Sequence, residues 1–311
     1  MVQVDLFLSY GFGAAFTLAA APAGRADHAS PRQPLTSALT ATLLYLGLLF
    51  VPSGLWLLRQ FPAWETMQVS PHPPVWLPAA FPVGITVAGI AGFAVTRTLL
   101  YRGVPWAAVL QGIWPLFAFY VTLLYGWDGT GLRRFLTADP AHWPAAAHQS
   151  LSTLAAHWIS TPVAHTLNVM VALHVPVILV LLCHLRAKAL RTRTSHSGTA
   201  AVRFAGTILS AMIVLCALAA IGLVLLVNAL GPVIGPAAFA AVSPLFLHPR
   251  GALARTAVTR WLPAPDLPVQ AQCTEPGDPA RVSLTRSTDT GIPHHAPPAH
   301  PGPDRYSPPS H

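Results

Sequence analysis

The sequence predicts an all-α polytopic integral membrane protein with about seven transmembrane helices. Three observations carry that reading. Of the 311 residues 53% are hydrophobic and only 9% are charged, against roughly 25% charged in an average soluble domain. Several uncharged runs reach the ~20 residues a helix needs to cross a ~30 Å hydrocarbon core. Lysine and arginine are also split unevenly between alternate connections, the usual mark of membrane topology.

The runs follow in order. The first, near 4–22, ends in small residues and imitates a secretory signal. It lacks a basic leader and carries Asp5, so it reads as an uncleaved first span. Further runs lie near 37–58, 75–96, 104–125 and 162–185. From Phe204 to His248 the chain is uncharged throughout, too long for one helix. Asn228 and the following "GPVIGP" supply turn chemistry, and Pro232 suits the first turn of a new helix. The stretch therefore divides into spans near 204–226 and 231–247. Pro236 and Pro244 weaken the last of these, so the alternative is six spans plus a surface-lying segment.

Orientation follows from the basic residues. The connection after the fifth run holds Arg186, Lys188, Arg191, Arg193 and Arg203, and the first and third connections add Arg25, Arg32, Arg97 and Arg102. The opposite set holds Arg59, Arg133 and Arg134. This bias places the N-terminus outside and makes the protein a multi-pass component of the plasma membrane. Trp56, Trp64, Trp76, Trp127, Trp143 and Trp158 fall at or beyond the outer ends of spans, where a half-buried indole keeps its N–H wet. Leu151, Leu154 and Trp158 recur at helical spacing, as in a short amphipathic helix lying flat on the surface. Residues 1–249 thus form the helical transmembrane domain. Residues 250–311, rich in Pro, Ser, Thr and His beyond Pro263, form a disordered cytoplasmic tail, because they have too little apolar surface to offset the entropy of ordering.

Several function classes drop out. The formal charge is +8 and the isoelectric point near 10.1, but the basic residues are scattered without an aromatic-interleaved stripe, so no nucleic acid is expected as a partner. Cys183, Cys216 and Cys273 offer neither CxxC spacing nor a disulfide framework. The chain has no HExxH, GxSxG or phosphate-binding glycine loop. Its one lysine, Lys188, lies in a connection, which removes a retinal Schiff base.

The fifth run, "HTLNVMVALHVPVILVLLCH", carries three histidines. On a helix His165 and His174 lie about 180° and ~13.5 Å apart, so no single ion with bonds of ~2 Å reaches both. No other span contains a histidine, which leaves a bis-histidine haem without its second ligand. Neither metal nor cofactor is expected in the membrane domain. Ser160 or Thr161 can cap the helix at Pro162. His174 sits near mid-membrane, two residues before Pro176, which frees the carbonyl of Ala172. A polar group at that depth is a functional candidate; the plain alternative is a neutral imidazole bonded to that carbonyl or to a neighbouring hydroxyl. Asn168, one turn below His165, is a second intramembrane polar candidate.

The remaining acids and several bases collect on the outer face: Asp5, Glu65, Asp128, Arg133, Arg134, His157 and His165. Glu65, Asp128, Arg133, Arg134 and His165 form the candidate ligand-binding set, with Asp128 expected to cap a helix begun by "LRRFL". Paired acids and bases at headgroup level suit the handling of a membrane lipid or polyprenyl substrate, and the two arginines suit phosphate. No catalytic residue is assigned. The competing class is a non-catalytic membrane subunit or scaffold whose outer loops dock a membrane or extracytoplasmic protein partner. Convergence of Glu65, Asp128, Arg133 and His165 in one pocket favours the first class; separate placement favours the second.

Overall fold

The computed structural model describes residues 2–21, 32–66, 74–191 and 197–247, and among them every regular element is helical. In order these are α1 (Val2–Ala20), α2 (32–60), α3 (Pro62–Thr66), α4 (Leu77–Tyr101), α5 (Pro105–Leu124), α6 (Gly131–Leu136), a 3₁₀ turn (Pro140–His142), α7 (Trp143–Ala146), α8 (Leu151–Ile159), α9 (Pro162–Arg191), α10 (197–230) and α11 (232–247). Among the described residues five stretches are long and apolar enough to cross a membrane: Leu35–Gln60, Leu77–Tyr101, Pro105–Leu124, Pro162–Leu190 and Gly198–Ser243, joined by the shorter apolar Val4–Ala20.

The longest of these is a hairpin of two helices. Gly231 takes φ 84° and ψ 171°, a backbone that glycine adopts without steric cost. A Cβ built on Gly235 would lie 2.6 Å from the Cα of Val227. In a straight helix residues eight apart are ~12 Å apart along the axis, so the chain reverses at Gly231. Phe239 then stacks on Phe117 of α5, with ring centroids 5.5 Å apart and an interplanar angle of 7°. The break falls where the "NALGP" chemistry predicts it, with Pro232 opening α11.

The core is built around α1. Every residue from Gly11 to Ala21 is buried, as an all-round apolar helix requires. In lipid, helices gain little from hydrophobicity against each other and associate through close packing of small residues. Here a Cβ on Gly13 would overlap the carbonyl oxygen of Gly89, and one on Gly92 would overlap that of Tyr10. The α1 and α4 backbones therefore touch at two levels. Phe12, Phe16, Tyr45, Phe93 and Leu116 fill the space around that contact.

Several helices outrun the spans expected from the sequence. α4 continues through Arg97 to Tyr101, and α9 continues past residue 185 to Arg191. Arg97, Arg186, Lys188 and Arg191, and Arg203 on α10, are thus helical and not connecting residues. Long basic side chains near a helix end can carry their charge to the membrane interface, so these helices run on beyond the expected span ends at 96 and 185. Arg25, Arg193 and the proposed 250–311 tail lie outside the described residues.

Candidate functional site

The helices alternate between two ends. One is covered by α3, α6, α7 and α8, and is called the capped end here; the other carries Arg97, Arg102, Arg186, Lys188 and Arg203 and is the basic end. The cap is held by three aromatic rings from three segments. Trp64 lies 5.8 Å from Phe135 and 5.9 Å from Trp158, and Phe135 lies 4.8 Å from Trp158. The indole N–H of Trp64 donates to the Phe135 carbonyl at 3.2 Å. Leu57 and Val163 are buried beneath these rings, so the cap is packed onto the ends of α2 and α9. The short amphipathic helix expected over 151–158 is α8: Leu154 is buried, and Ser150 caps it by accepting from Thr153 N at 3.2 Å.

The charged residues of the cap are largely engaged with the cap itself. Arg134 pairs with Asp128 at 2.5 Å, and its guanidinium stands 5.2 Å over the Trp143 ring. Arg133 donates to the carbonyl of Gln149. Asp128 does not cap α6, whose N-cap residue is Thr130. Its carboxylate lies outside the helix and accepts from Thr130 N and Oγ1 at 3.1 and 2.5 Å, closing an Asx turn. Desolvation opposes ionisation there, but the Thr130 hydrogen bonds and Arg134 hold the Asp128 carboxyl below the usual range. Glu65, by contrast, is buried beside Trp64 at 2% exposure. Burial, reinforced by the negative charge of nearby Asp5, pushes its carboxyl up to about 8.

His165 lies elsewhere. It is exposed on the first turns of α9 and lines a cleft of about 490 Å³ between α2 and α9. The α2 wall is Leu48, Leu49, Pro52, Ser53 and Trp56; the α9 wall is His165, Thr166, Val169, Met170 and Leu173. Pro52 accounts for the shape of the α2 wall. Its ring removes a donor and crowds the carbonyl four residues back. The helix widens just before it into a π turn, Leu46–Phe50, closed by Val51 N donating to Leu46 O. The polar side chains lie toward the cap and the aliphatic ones deeper. Thr161 caps α9, accepting from Ala164 N at 3.2 Å, whereas Ser160 turns back to the His157 carbonyl.

His174 sits just below this cleft. Its Nδ1 lies 2.7 Å from the carbonyl of Met170, not from that of Ala172, which Pro176 frees. The residue four back is nearer to a side chain that leans toward the helix N-terminus. A carbonyl only accepts, so Nδ1 carries the proton, and in the neutral ring Nε2 remains an acceptor. Tyr45 and Phe50 meet the imidazole edge-on at 5.9 and 6.1 Å. Asn168 is exposed on α9 and does not line the cleft.

The candidate set is thus brought to one end of the molecule but divided among three places: the Asp128–Arg134 turn with Arg133, the buried Glu65, and His165 in the cleft. A polar thread inside the bundle was not anticipated. Tyr10 donates to Gln111 at 2.5 Å, Gln111 Nε2 donates to Thr96 Oγ1, and Thr96 donates to the Gly92 carbonyl at 2.7 Å. The signal was Gln111 itself, an amide within an apolar run.

Residues 104–265 match an uncharacterized membrane protein family. That is 162 of 311 residues, just over half, running from the start of α5 across α6, α7, α8, α9 and the hairpin. The chain belongs to this family. It is an all-helical polytopic membrane protein. An uncharacterized protein of Archaeoglobus fulgidus is 42% identical over 106 residues, which cover 33% of this chain and 44% of the relative. The similar stretch thus spans less than half of that relative's length. No solved structure matches the chain.

Proposed function

We propose that this protein binds an amphiphilic membrane lipid, with an apolar chain in the α2–α9 cleft and a polar head beside His165, Ser53 and Trp56. The cleft carries the proposal. Eight residues separate His165 from Leu173, about 12 Å of helix, and over that length the walls change from polar to aliphatic. The reading is binding rather than catalysis, because Asp128, Arg133 and Arg134 are engaged with neighbouring cap groups. In it they and Glu65 hold the cap's shape, and His165 meets the ligand. The setting proposed is the plasma membrane with the capped end and N-terminus outside; a reporter cysteine at Val2, labelled by an impermeant reagent in intact cells, tests that orientation.

The binding test is to measure lipids retained on the purified protein. Wild type should keep one lipid class at about one per chain, and Val169→Trp, which fills the cleft, should lose it. The same mixed lipids on both would refute the proposal.

A second reading is favoured by the self-paired charges of the cap and by Trp127, which is 79% exposed there. The cap would then be a rigid platform for a protein partner. Loss of a co-purifying protein on Trp127→Ala, with retained lipid unchanged, would support it.

A further inference from the structure

Arg186 is completely buried, at 0% exposure, and is the largest side chain of the described residues to be so. It lies on α9, 24 residues beyond Pro162, about 36 Å along the helix axis. That carries it past a hydrocarbon core of ~30 Å, to the depth of lipid phosphates at the basic end. Nη1 donates to the carbonyl of Ala21 at 2.9 Å, beside the end of α1. The guanidinium carbon stands 4.6 Å over the Phe204 ring of α10. One nitrogen and one face are thereby occupied.

The other edge is not. Nε and Nη2 are both buried and have no hydrogen-bond partner among the described residues. These two N–H groups point the same way and match a pair of oxygens on a carboxylate or phosphate. A guanidinium cannot shed its proton to escape the cost of burial, and a buried charge needs an opposite charge and satisfied donors. The Ala21 carbonyl and the Phe204 ring are both neutral. Among the described residues the acids are Asp5, Glu65, Asp128 and Asp139, all at the capped end, whereas Arg97, Arg102, Lys188 and Arg203 share the basic end with Arg186. Basic pockets at that depth suit anionic headgroups.

We propose that the Nε–Nη2 edge of Arg186 anchors a phosphate group, supplied by an anionic phospholipid of the adjoining leaflet or by free phosphate. The site is independent of the α2–α9 cleft. It ties α1, α9 and α10 together, so occupancy stabilises the bundle at its basic end.

The test is thermal unfolding of the full chain in neutral detergent, with phosphatidylglycerol, sodium phosphate or diacylglycerol added separately. A ligand that binds only the folded state raises the midpoint, here by roughly 5 °C or more at saturation. Phosphatidylglycerol should do so and diacylglycerol should not. An equal shift with sodium phosphate would assign the free ion as the source and also sustain the site. Arg186→Lys keeps a charge without the paired edge and should lose the shift. Arg203→Gln, an exposed arginine at the same end, should keep it. The proposal is overturned if neither anion shifts the wild type, or if Arg186→Lys responds as wild type does. Asp27, in the connection between α1 and α2, gives a further check: the proposal is overturned if Asp27→Asn is as damaging as Arg186→Gln and no anion has an effect, because the chain then supplies its own counter-charge. Should the Arg186 variants fail to fold, the wild-type response to the three additives decides.

Discussion

α1 and α9 are both apolar helices and occupy opposite situations. α1 is enclosed, with every residue from Gly11 to Ala21 buried and its backbone in contact with α4. α9 has a more hydropathic window than α4, 2.3 against 1.8, yet only 11% of that window is buried inside the protein, against 33% for α4. Hydropathy reports that a helix belongs in lipid; it does not report where in the bundle the helix stands. Small residues on facing helices do, because backbones approach only where side chains are absent. The enclosed helix is scaffold. The exposed one faces α2 across an open cleft, carries His165 and His174, and is the place proposed for a membrane-borne ligand.

The sharpest way to break this contrast is to put a side chain where the scaffold has none. Gly13→Val or Gly92→Val would drive a side chain into a carbonyl group of the neighbouring helix. Overpacking against movable side chains costs ~1–3 kcal/mol, and a backbone obstacle yields less. Both variants should give no monodisperse protein on size-exclusion chromatography, whereas Val180→Ala on the open face of α9 should behave as wild type. Next comes the cap. Trp158→Ala removes a ring from the aromatic trio and should destabilise by about 3 kcal/mol, read as a lower unfolding midpoint and faster proteolysis between α6 and α8.

Glu65 gives a pH-dependent test. With its carboxyl near 8 in the fold and an ordinary value of 4.5, it is protonated when folded and ionised when unfolded across that window. Stability therefore falls as pH rises from about 4.5 to about 8 and levels off above. Glu65→Gln should flatten that slope in thermal melts; an unchanged slope would assign it to another group.

The smallest effects are expected at the half-buried His174 and the exposed Asp128. His174→Gln should cost on the order of 1 kcal/mol, the scale of a polar contact within a membrane bundle. Asp128→Asn should cost less than about 1 kcal/mol, because the Asp128–Arg134 pair is substantially solvated and such pairs contribute little. A loss several times larger at Asp128 would give the cap a more rigid role than the aromatic trio explains.

Much of the fold was legible because the membrane imposes simple lengths. The apolar runs mark the helices, and "NALGP" marks the reversal at Gly231. Arg186 was misread as a loop residue because charge ordinarily ends a span, and its burial depends on contacts with Ala21 and Phe204 from distant parts of the chain. The site was legible only in part. Asp128 and Arg134 are close in sequence and meet, but the α2–α9 cleft arises from a π turn before Pro52 that faces a helix more than a hundred residues away. Nothing local to either segment announces that pairing. The Tyr10–Gln111–Thr96 thread is hidden for the same reason.

The α2–α9 cleft is proposed to hold a specific lipid while the rest of α9 meets only bulk lipid. Photo-crosslinking in native membranes tests it most directly, with a photoreactive residue placed singly at Val169, inside the cleft, and at Val180, exposed on α9 outside it. One dominant lipid species should be attached at Val169, and a distribution matching the whole membrane at Val180. The same bulk distribution at both positions would contradict it.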